Sequence, residues 1–505
     1  MFEHLRRLAT TGAAYTAASV LSKLIALFLL PVYTAYLSPA EYGDVEIMIA
    51  TLVAASIVVR LGVIEAMLRF YYLAREDPTA VVRTGFASLF WTSTALALVA
   101  LPLAGPISEL LLDGRSEPGL ARLMILGLWQ LTLWEYALTL LRLDERARAY
   151  FTFTIAAVVV TIPVTVALVV GTDLGAAAIL LGNFGTGVVF LLGRLWIERR
   201  RLGFGIDRGL LRRMVRFGLP TMPAELTLYS LNWIDRIIIL RLAGAAAVGL
   251  YAIAVKFANG MQVLVRGFHL AWPPLAYSIQ DDDEARNAYA LIVTWFVAIS
   301  SFAVLGLWLL APWLTEALAD ERFYEAHEAV GPLAAGTALY ALYLVLVIIL
   351  GRTGRTEFSF PATAVAVAVN VALNLLLVPD HGIVGAGVAL LVSYAVVVAL
   401  MHGITRRLFY VPYEWGRLAL AVGLAAALIA VGETVVPDDG LDGLAVTLIL
   451  CAAYPIGLYA LRFLSPEERE RLPVVLERVR GRLGADRGLD TIEQAERDRD
   501  RGGVG

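Results

Sequence analysis

Long apolar segments separated by short polar loops run along most of this chain. An α-helix needs about 20 residues to cross about 30 Å of hydrocarbon, and apolar segments of that length recur as far as residue 463. We therefore predict about fourteen membrane-spanning helices. Their approximate ranges are 12–37, 45–73, 84–104, 120–143, 151–170, 175–197, 215–242, 248–276, 288–312, 328–350, 358–378, 383–404, 414–432 and 442–463.

The polar loops between these segments are of two kinds. Arginine-rich loops, of which 199–213 is the longest, alternate with acidic or neutral loops such as 38–44 and 379–382. Arg115 and Arg322 are the main exceptions on the second side. Because basic loops stay in the cytoplasm, we predict a multi-pass protein of the cell membrane, the plasma or inner membrane, with both termini cytoplasmic.

Composition excludes an ordinary soluble protein. Of the 505 residues, 59% are hydrophobic and 17% are charged, whereas soluble domains are about 45–50% apolar and about 25% charged. The net charge of -3 gives no indication of nucleic-acid binding. Cys451 stands alone and can form no intramolecular disulfide. The first apolar segment is too long for a signal peptide, so we predict a retained helix.

A weak internal repeat follows the same register in both halves of the chain. Gly43 matches Gly249 and Arg60 matches Arg266, both at an offset of 206 residues. An even number of helices per unit makes the two copies parallel, which is typical of transporters with a central site. We predict two six-helix lobes and two extra C-terminal helices. The predicted units are 1–198, the basic linker 199–213, 214–408, helices 13 and 14 in 409–464, and a partly disordered cytoplasmic tail, 465–505.

Four stretches together resemble one known family. They are LSPAEYGDVEI at 37–47, FGLPTMPAELTLYSLNWIDRIIIL at 217–240, VGLYAIAVKFANG at 248–260 and NVALNLLLVPDHGIVGAGVAL at 370–390. They are similar to the polysaccharide transporters of the multidrug/oligosaccharidyl-lipid/polysaccharide exporter superfamily. The resemblance implies a flippase that carries polyprenyl-diphosphate-linked oligosaccharides from the inner to the outer leaflet by alternating access, for cell-surface polysaccharide biosynthesis. Implied partners are this substrate, membrane lipids and polysaccharide-assembly proteins, with the chain acting as a monomer.

Three cations inside predicted helices are candidates for the substrate cavity. Arg60 and Arg266 occupy matching places in the repeat, in the cytoplasmic half of their helices. Lys23 lies about 15 Å from the inner end of the first helix, near the midplane. Arginine suits bidentate contact with a diphosphate. The alternatives are that the arginines extend to the inner surface or pair with a nearby acid such as Glu135 or Glu225.

Other intramembrane polar residues have competing interpretations. Asp235 and Lys256 fall in the outer third of neighbouring helices, which predicts a structural ion pair. Glu225 follows two prolines and is either a cavity or coupling residue or part of a kinked helix start. Asn370 and Asn374 share a helix face and either line a sugar path or bond neighbouring helices.

Catalytic and cofactor motifs do not emerge from the sequence. The five histidines have no metal-ligand spacing, and no phosphate-binding glycine loop is present. We therefore predict a transporter without catalytic residues, metal or cofactor. Two alternatives remain open, a cation-coupled multidrug-type exporter and a membrane glycan polymerase or ligase. The short outer loops disfavour the second.

Overall fold

The computed structural model describes most of the chain as helices joined by short turns. The described residues are Leu27, 29–72, 77–355, 358–436, 440–465 and Glu468. All regular structure within these ranges is helical. Lys23 and most of the first predicted helix lie outside the described residues.

The first half contains the helices up to the basic linker. Its elements are α1 (Leu30–Tyr36), α2 (Pro39–Arg60), α3 (Val63–Tyr72), α4 (Pro78–Ala100), α5 (Ala104–Leu111), α6 (Pro118–Leu143), α7 (Ala147–Gly171) and α8 (Ala176–Glu198). A linker helix, α9 (Arg208–Gly218), follows.

The second half contains two long helices that are each interrupted once. Its elements are α10 (Met222–Ala258), α11 (Met261–Ser278), α12 (Asp282–Leu309), α13 (Ala311–Leu318), α14 (His327–Arg352), α15 (Ser359–Leu408), α16 (Trp415–Val435) and α17 (Gly440–Ala460). The backbone leaves helical geometry at Gly244 in α10 and at Gly382 in α15, where φ is 87° and 53°. Glycine tolerates positive φ without steric cost, so each helix turns back at these points.

Eleven helical stretches in the described residues are long and apolar enough to cross a membrane. The all-helical membrane fold is therefore confirmed. The count of fourteen stays a prediction, because the first predicted helix lies mostly outside the described ranges and α15 combines two predicted helices across Gly382.

Helix α2 begins at Pro39, six residues before the predicted start at 45, because its first turn is strongly capped. The Ser38 backbone N–H donates to Glu41 Oε2 at 2.9 Å, and the Glu41 N–H donates back to Ser38 Oγ at 3.3 Å. Proline at the first helical position and this reciprocal bonding are typical of helix starts. The predicted second helix also breaks at Leu61 and Gly62, where φ is positive. Arg60 is therefore the last residue of α2.

Packing joins the two halves along α2. This helix lies against both parts of α10, and the largest apolar core includes residues of both halves, for example Ile47 and Val248. A second core joins α3, α4 and α6 to the linker helix through Leu210 and Met214. The contact between α2 and α10 is thus the main junction of the halves, and the charged residues lie along it.

Candidate functional site

Polar contacts run along the face that α2 presents to the first part of α10. Arg60 Nη2 lies 2.8 Å from Glu225 Oε1. The Tyr229 hydroxyl donates to the Ala50 carbonyl at 3.1 Å, and Trp233 Nε1 donates to Thr51 Oγ1 at 3.1 Å. We call these contacts, with the Glu46 cluster described next, the seam. The seam consists of individual hydrogen bonds and ion pairs, each made by at least one side chain, so it can separate without unfolding either helix.

Glu46 is the centre of one end of the seam, which is the outer end on the predicted topology. Its Oε1 lies 2.7 Å from Lys256 Nζ and its Oε2 lies 3.5 Å from Arg236 Nη2. Lys256 also contacts the Tyr42 hydroxyl and lies 4.5 Å from the centre of the Tyr42 ring. Glu46 and Arg236 are only 13% and 11% exposed. One carboxylate of α2 therefore pairs with two cations of α10.

Asp235 belongs to a separate polar group that is fully buried within the second half. Its carboxylate accepts hydrogen bonds from the Tyr251 hydroxyl and from Asn374 Nδ2, each at 2.9 Å. Asn374 Oδ1 is buried without a hydrogen-bond partner, and Asn370 is buried one turn earlier on α15. The hydrogen bonds from Tyr251 and Asn374 satisfy this carboxylate in its buried position, as a buried charged group requires.

The predicted ion pair between Asp235 and Lys256 does not form. Asp235 bonds to Tyr251 and Asn374, and Lys256 bonds to Glu46. Lys256 follows Tyr251 by five residues, which rotates it by about 140° around the helix. Tyr251 therefore faces Asp235, whereas Lys256 faces α2.

The other predicted site residues have different outcomes. Arg60 and Glu225 are brought together as a pair, which was one of the two interpretations of Arg60. Arg266 is half-buried on α11. Lys23 lies outside the described residues. A cavity role for Arg60, Arg266, Glu225, Asn370 and Asn374 stays a prediction.

Glu46, Tyr42 and Tyr251 complete the polar groups but did not emerge as site candidates from the sequence. A signal for Glu46 was present, since it is an acid seven residues inside a capped helix that must enter the membrane. The tyrosines have no such signal, because their chemical role depends on which helix they face.

Glycine residues permit close backbone contact at both ends of α2. A Cβ atom on Gly43 would overlap the carbonyl oxygen of Ala245, and one on Gly249 would overlap that of Pro39. At the other end, a Cβ on Gly62 would overlap the Gly218 carbonyl group. The seam is therefore closed by tight backbone contacts above and below its charged residues.

A cavity of about 410 Å³ lies within the first half, lined by residues of α1, α6, α7 and α8. Neutral polar side chains contribute to its lining, namely Tyr33, Gln130, Thr154, Thr161 and Asn183. The remaining described lining residues are apolar or glycine. This lining offers hydrogen bonds but no fixed charge. The described charges that suit an ionic ligand lie along the seam instead.

Comparison with solved structures identifies the fold. A structure solved as the lipid II flippase MurJ in an inward closed conformation aligns over 88% of this chain and 99% of its own, with a TM-score of 0.69 and 13% identity. An inward-facing multidrug resistance MATE family transporter of the MOP superfamily aligns over 76% and 93%, with a TM-score of 0.64 and 15% identity. A MOP superfamily transporter from Pyrococcus furiosus, whose binding pocket is described as having reverse polarity, aligns over 79% and 93%, with a TM-score of 0.52 and 14% identity. These likenesses show the fold.

Sequence comparison identifies the family. No curated protein matches the chain. The profile of the family described as "Polysaccharide biosynthesis protein" matches residues 34–328, more than half of the chain and the part that contains α2, α10 and the seam. The predicted resemblance is thereby confirmed, and the chain belongs to the polysaccharide biosynthesis protein family and has the transporter fold of the MOP superfamily.

Proposed function

We propose that this protein is a flippase that moves a polyprenyl-diphosphate-linked oligosaccharide from the inner to the outer leaflet by alternating access. The family is one of polysaccharide biosynthesis, and the fold is shared with a lipid II flippase. The protein is a multi-pass membrane transporter. It acts as a monomer in the plasma or inner membrane with both termini cytoplasmic.

The row of three cations along the seam is the observation that carries this proposal. Arg60 pairs with Glu225, and Arg236 and Lys256 share Glu46. A charge near the bilayer centre costs about 2.5–3.5 kcal/mol on insertion scales, so three cations at one junction need a function. A diphosphate carries negative charge and offers several oxygens for charge-assisted hydrogen bonds to them.

The pairing of these cations suits release and exchange of an anion. Each cation bonds to a carboxylate on the other side of the seam, so a diphosphate between the halves can replace Glu225 or Glu46 as the partner. Replacement of one anion by another leaves no buried cation unpaired, which avoids the several kcal/mol that an isolated buried charge would cost.

We further propose that the two halves act as lobes, 1–198 and 214–408, connected by the linker 199–213 and followed by helices 13 and 14 in 409–464. The repeat matches Gly43 with Gly249, and these glycines approach closely at the outer end of the seam. Matched residues meet at the axis of a two-fold arrangement. Outward opening then separates this glycine contact, and inward opening separates the contact between Gly62 and Gly218.

A cation-coupled multidrug-type exporter is the second candidate function, and Asp235 is the observation that favours it. Its buried carboxylate can take up a proton or a small cation. The same chemistry also serves a flippase by coupling transport to an ion gradient. The three cations at the seam favour an anionic substrate, so we assign Asp235 to coupling and the seam to the substrate.

The flippase proposal is tested with purified protein in vesicles that contain a fluorescent polyprenyl-diphosphate oligosaccharide. Arg60→Ala and Arg266→Ala each remove one phosphate donor, and a hydrogen bond to a charged group contributes about 1.5–3 kcal/mol. We expect the initial flipping rate to fall about ten- to one hundred-fold in each variant. Arg241→Ala is the matched control, because Arg241 lies at the outer end of the first part of α10, where it pairs with the exposed Asp113. Wild-type rates in the double variant would refute the assignment.

A further inference from the structure

The linker between the halves carries an exposed basic surface that the proposed transport cycle does not use. The linker and the rest of α9 with its C-cap residue, together residues 199–219, contain seven arginines and a single acid. That acid, Asp207, caps α9 by accepting the Leu210 N–H at 2.9 Å. The linker therefore has almost no anionic residues of its own to balance its arginines.

Helix α9 separates its basic and apolar residues onto different faces. Arg208, Arg212 and Arg216 follow one another at four-residue intervals and are all exposed. Leu210 and Met214 are buried in the core that includes α3. Because residues four apart share a helix face, the arginines point away from the protein. We define the linker patch as these three arginines together with the exposed Arg199 and Arg200.

Arg201 contrasts with the linker patch, because it is already paired. Its Nη1 lies 2.6 Å from Asp144 Oδ2, and this hydrogen bond raises the pKa of the guanidinium above its ordinary value. Arg201 therefore fastens the linker to the turn between α6 and α7. The patch arginines are exposed, in contrast to the paired Arg201.

Large apolar side chains are exposed in and beside the basic stretch. Trp196 precedes the basic stretch and is 66% exposed, and Phe204 and Leu219 within it are 58% and 43% exposed. Trp91 Nε1 donates to the Phe204 carbonyl at 3.2 Å, and the Arg199 guanidinium lies 4.3 Å from the centre of the Trp196 ring. Exposed tryptophan beside arginine is typical of the membrane interface, where long basic side chains reach the phosphates.

We infer that the linker patch binds anionic phospholipid headgroups of the cytoplasmic leaflet and holds α9 flat against the membrane. Arginine forms bidentate, charge-assisted bonds with phosphate, and basic segments beside a membrane attract anionic lipids. The patch and the seam are separate, because the buried face of α9 lies between the patch arginines and the rest of the protein.

Lipid binding at the linker patch affects the contact between the two halves at Gly62 and Gly218. Gly218 ends α9 and packs against the backbone of Gly62 at the inner end of α2. The Arg69 guanidinium also lies 4.4 Å from the centre of the Phe217 ring. Anionic lipid that holds α9 in place therefore supports the inner contact seen in this structure.

The test measures retention of spin-labelled phosphatidylglycerol and phosphatidylcholine by the full-length protein in bilayers of phosphatidylcholine. We expect the wild type to retain phosphatidylglycerol in preference to phosphatidylcholine. Each arginine near an anionic surface contributes about five-fold to such binding. The variant Arg208→Gln/Arg212→Gln should therefore weaken phosphatidylglycerol retention on the order of twenty-fold while circular dichroism stays unchanged. This readout is independent of the transported substrate, so it can fail while the flippase proposal stands.

Arg406→Gln/Arg407→Gln is the matched control, since it removes two exposed arginines from the end of α15 on the same predicted side. The control should retain phosphatidylglycerol like the wild type. An equal loss in both double variants would show a general charge effect and overturn the inference. Retention of a polyprenyl-diphosphate lipid but not of phosphatidylglycerol would also overturn it.

Discussion

The pairing of Glu46 with two cations predicts a measurable shift in how the two halves open on the outer side. Glu46→Gln keeps the size of the side chain but removes the charge that holds Lys256 and Arg236 against α2. The two cations then lose the carboxylate that they share. Outward separation hydrates both of them, so we expect the substitution to favour the outward-open arrangement.

The size of the expected free-energy shift follows from the burial of Glu46, Lys256 and Arg236. Removing one partner of a fully buried ion pair costs about 3–5 kcal/mol, whereas an exposed pair contributes about 0–1 kcal/mol. Glu46 is 13% exposed and Lys256 is 29% exposed, so this pair is intermediate between a fully buried pair and an exposed pair. We therefore expect a shift of about 1–3 kcal/mol, which changes the ratio of open to closed molecules roughly five- to one hundred-fold.

The assay is electron spin resonance distance measurement between labels on the outer turns of the two halves. Asp173→Cys and His381→Cys supply exposed labelling sites, and Cys451→Ser removes the single native thiol. In Glu46→Gln the longer distances should gain population. Glu109→Gln is the control, because it neutralises an exposed acid on the predicted outer side of the first half. An unchanged distance distribution in folded Glu46→Gln protein would refute the reasoning.

Two further predictions concern the neighbouring groups. Asp235→Asn removes the buried charge but keeps a hydrogen-bond acceptor for Tyr251. Flipping in vesicles should then lose its response to a proton or sodium gradient. A full response in the variant would contradict the coupling role. Gly249→Ala introduces a Cβ that overlaps the Pro39 carbonyl oxygen, and overpacking of this kind costs about 1–3 kcal/mol. The melting temperature should fall, whereas Gly306→Ala, which meets no atom within 4 Å, should leave it unchanged; equal melting temperatures would show that the glycine contact is not tight.

The sequence was sufficient to predict the helical hairpin around Gly244, because two apolar segments separated by a short glycine-containing stretch can only turn back. It also contained the information for the true start of α2. Ser38, Pro39 and Glu41 form a recognisable capping pattern, but their polar character also suits a loop. Hydropathy alone therefore placed the start six residues too late.

The pairing of charges along the seam could not be read from the sequence. Asp235 and Lys256 have opposite charges at similar predicted depths, which made a direct pair reasonable. The rotation of each helix decides which neighbour a side chain meets, and hydropathy does not fix this rotation in segments that are apolar on all sides. Arg60 and Glu225 were one of several acceptable pairs, and the packing of α2 on α10 selects this one.

Gly43 and Gly249 are in contact, and the internal repeat of the sequence had already matched these two positions. The pattern of apolar segments alone does not indicate this relation. A weak repeat matched these glycines, and the structure brings them together. Matched positions that require glycine are consistent with close backbone approach on an axis. The repeat thus indicated a point of contact, although it could not indicate which helices surround that point.

The central claim is that the cations of the seam recognise the diphosphate of a lipid-linked sugar. The most direct measurement compares initial flipping rates of the wild-type protein for two lipids that share one oligosaccharide and one polyprenyl chain, one with a diphosphate linkage and one with a neutral linkage. We predict that the diphosphate lipid is moved at least ten-fold faster, because the neutral lipid forms no charge-assisted bonds with Arg60, Arg236 or Lys256. Equal rates, or transport of a cationic amphiphile in place of the diphosphate lipid, would contradict the claim.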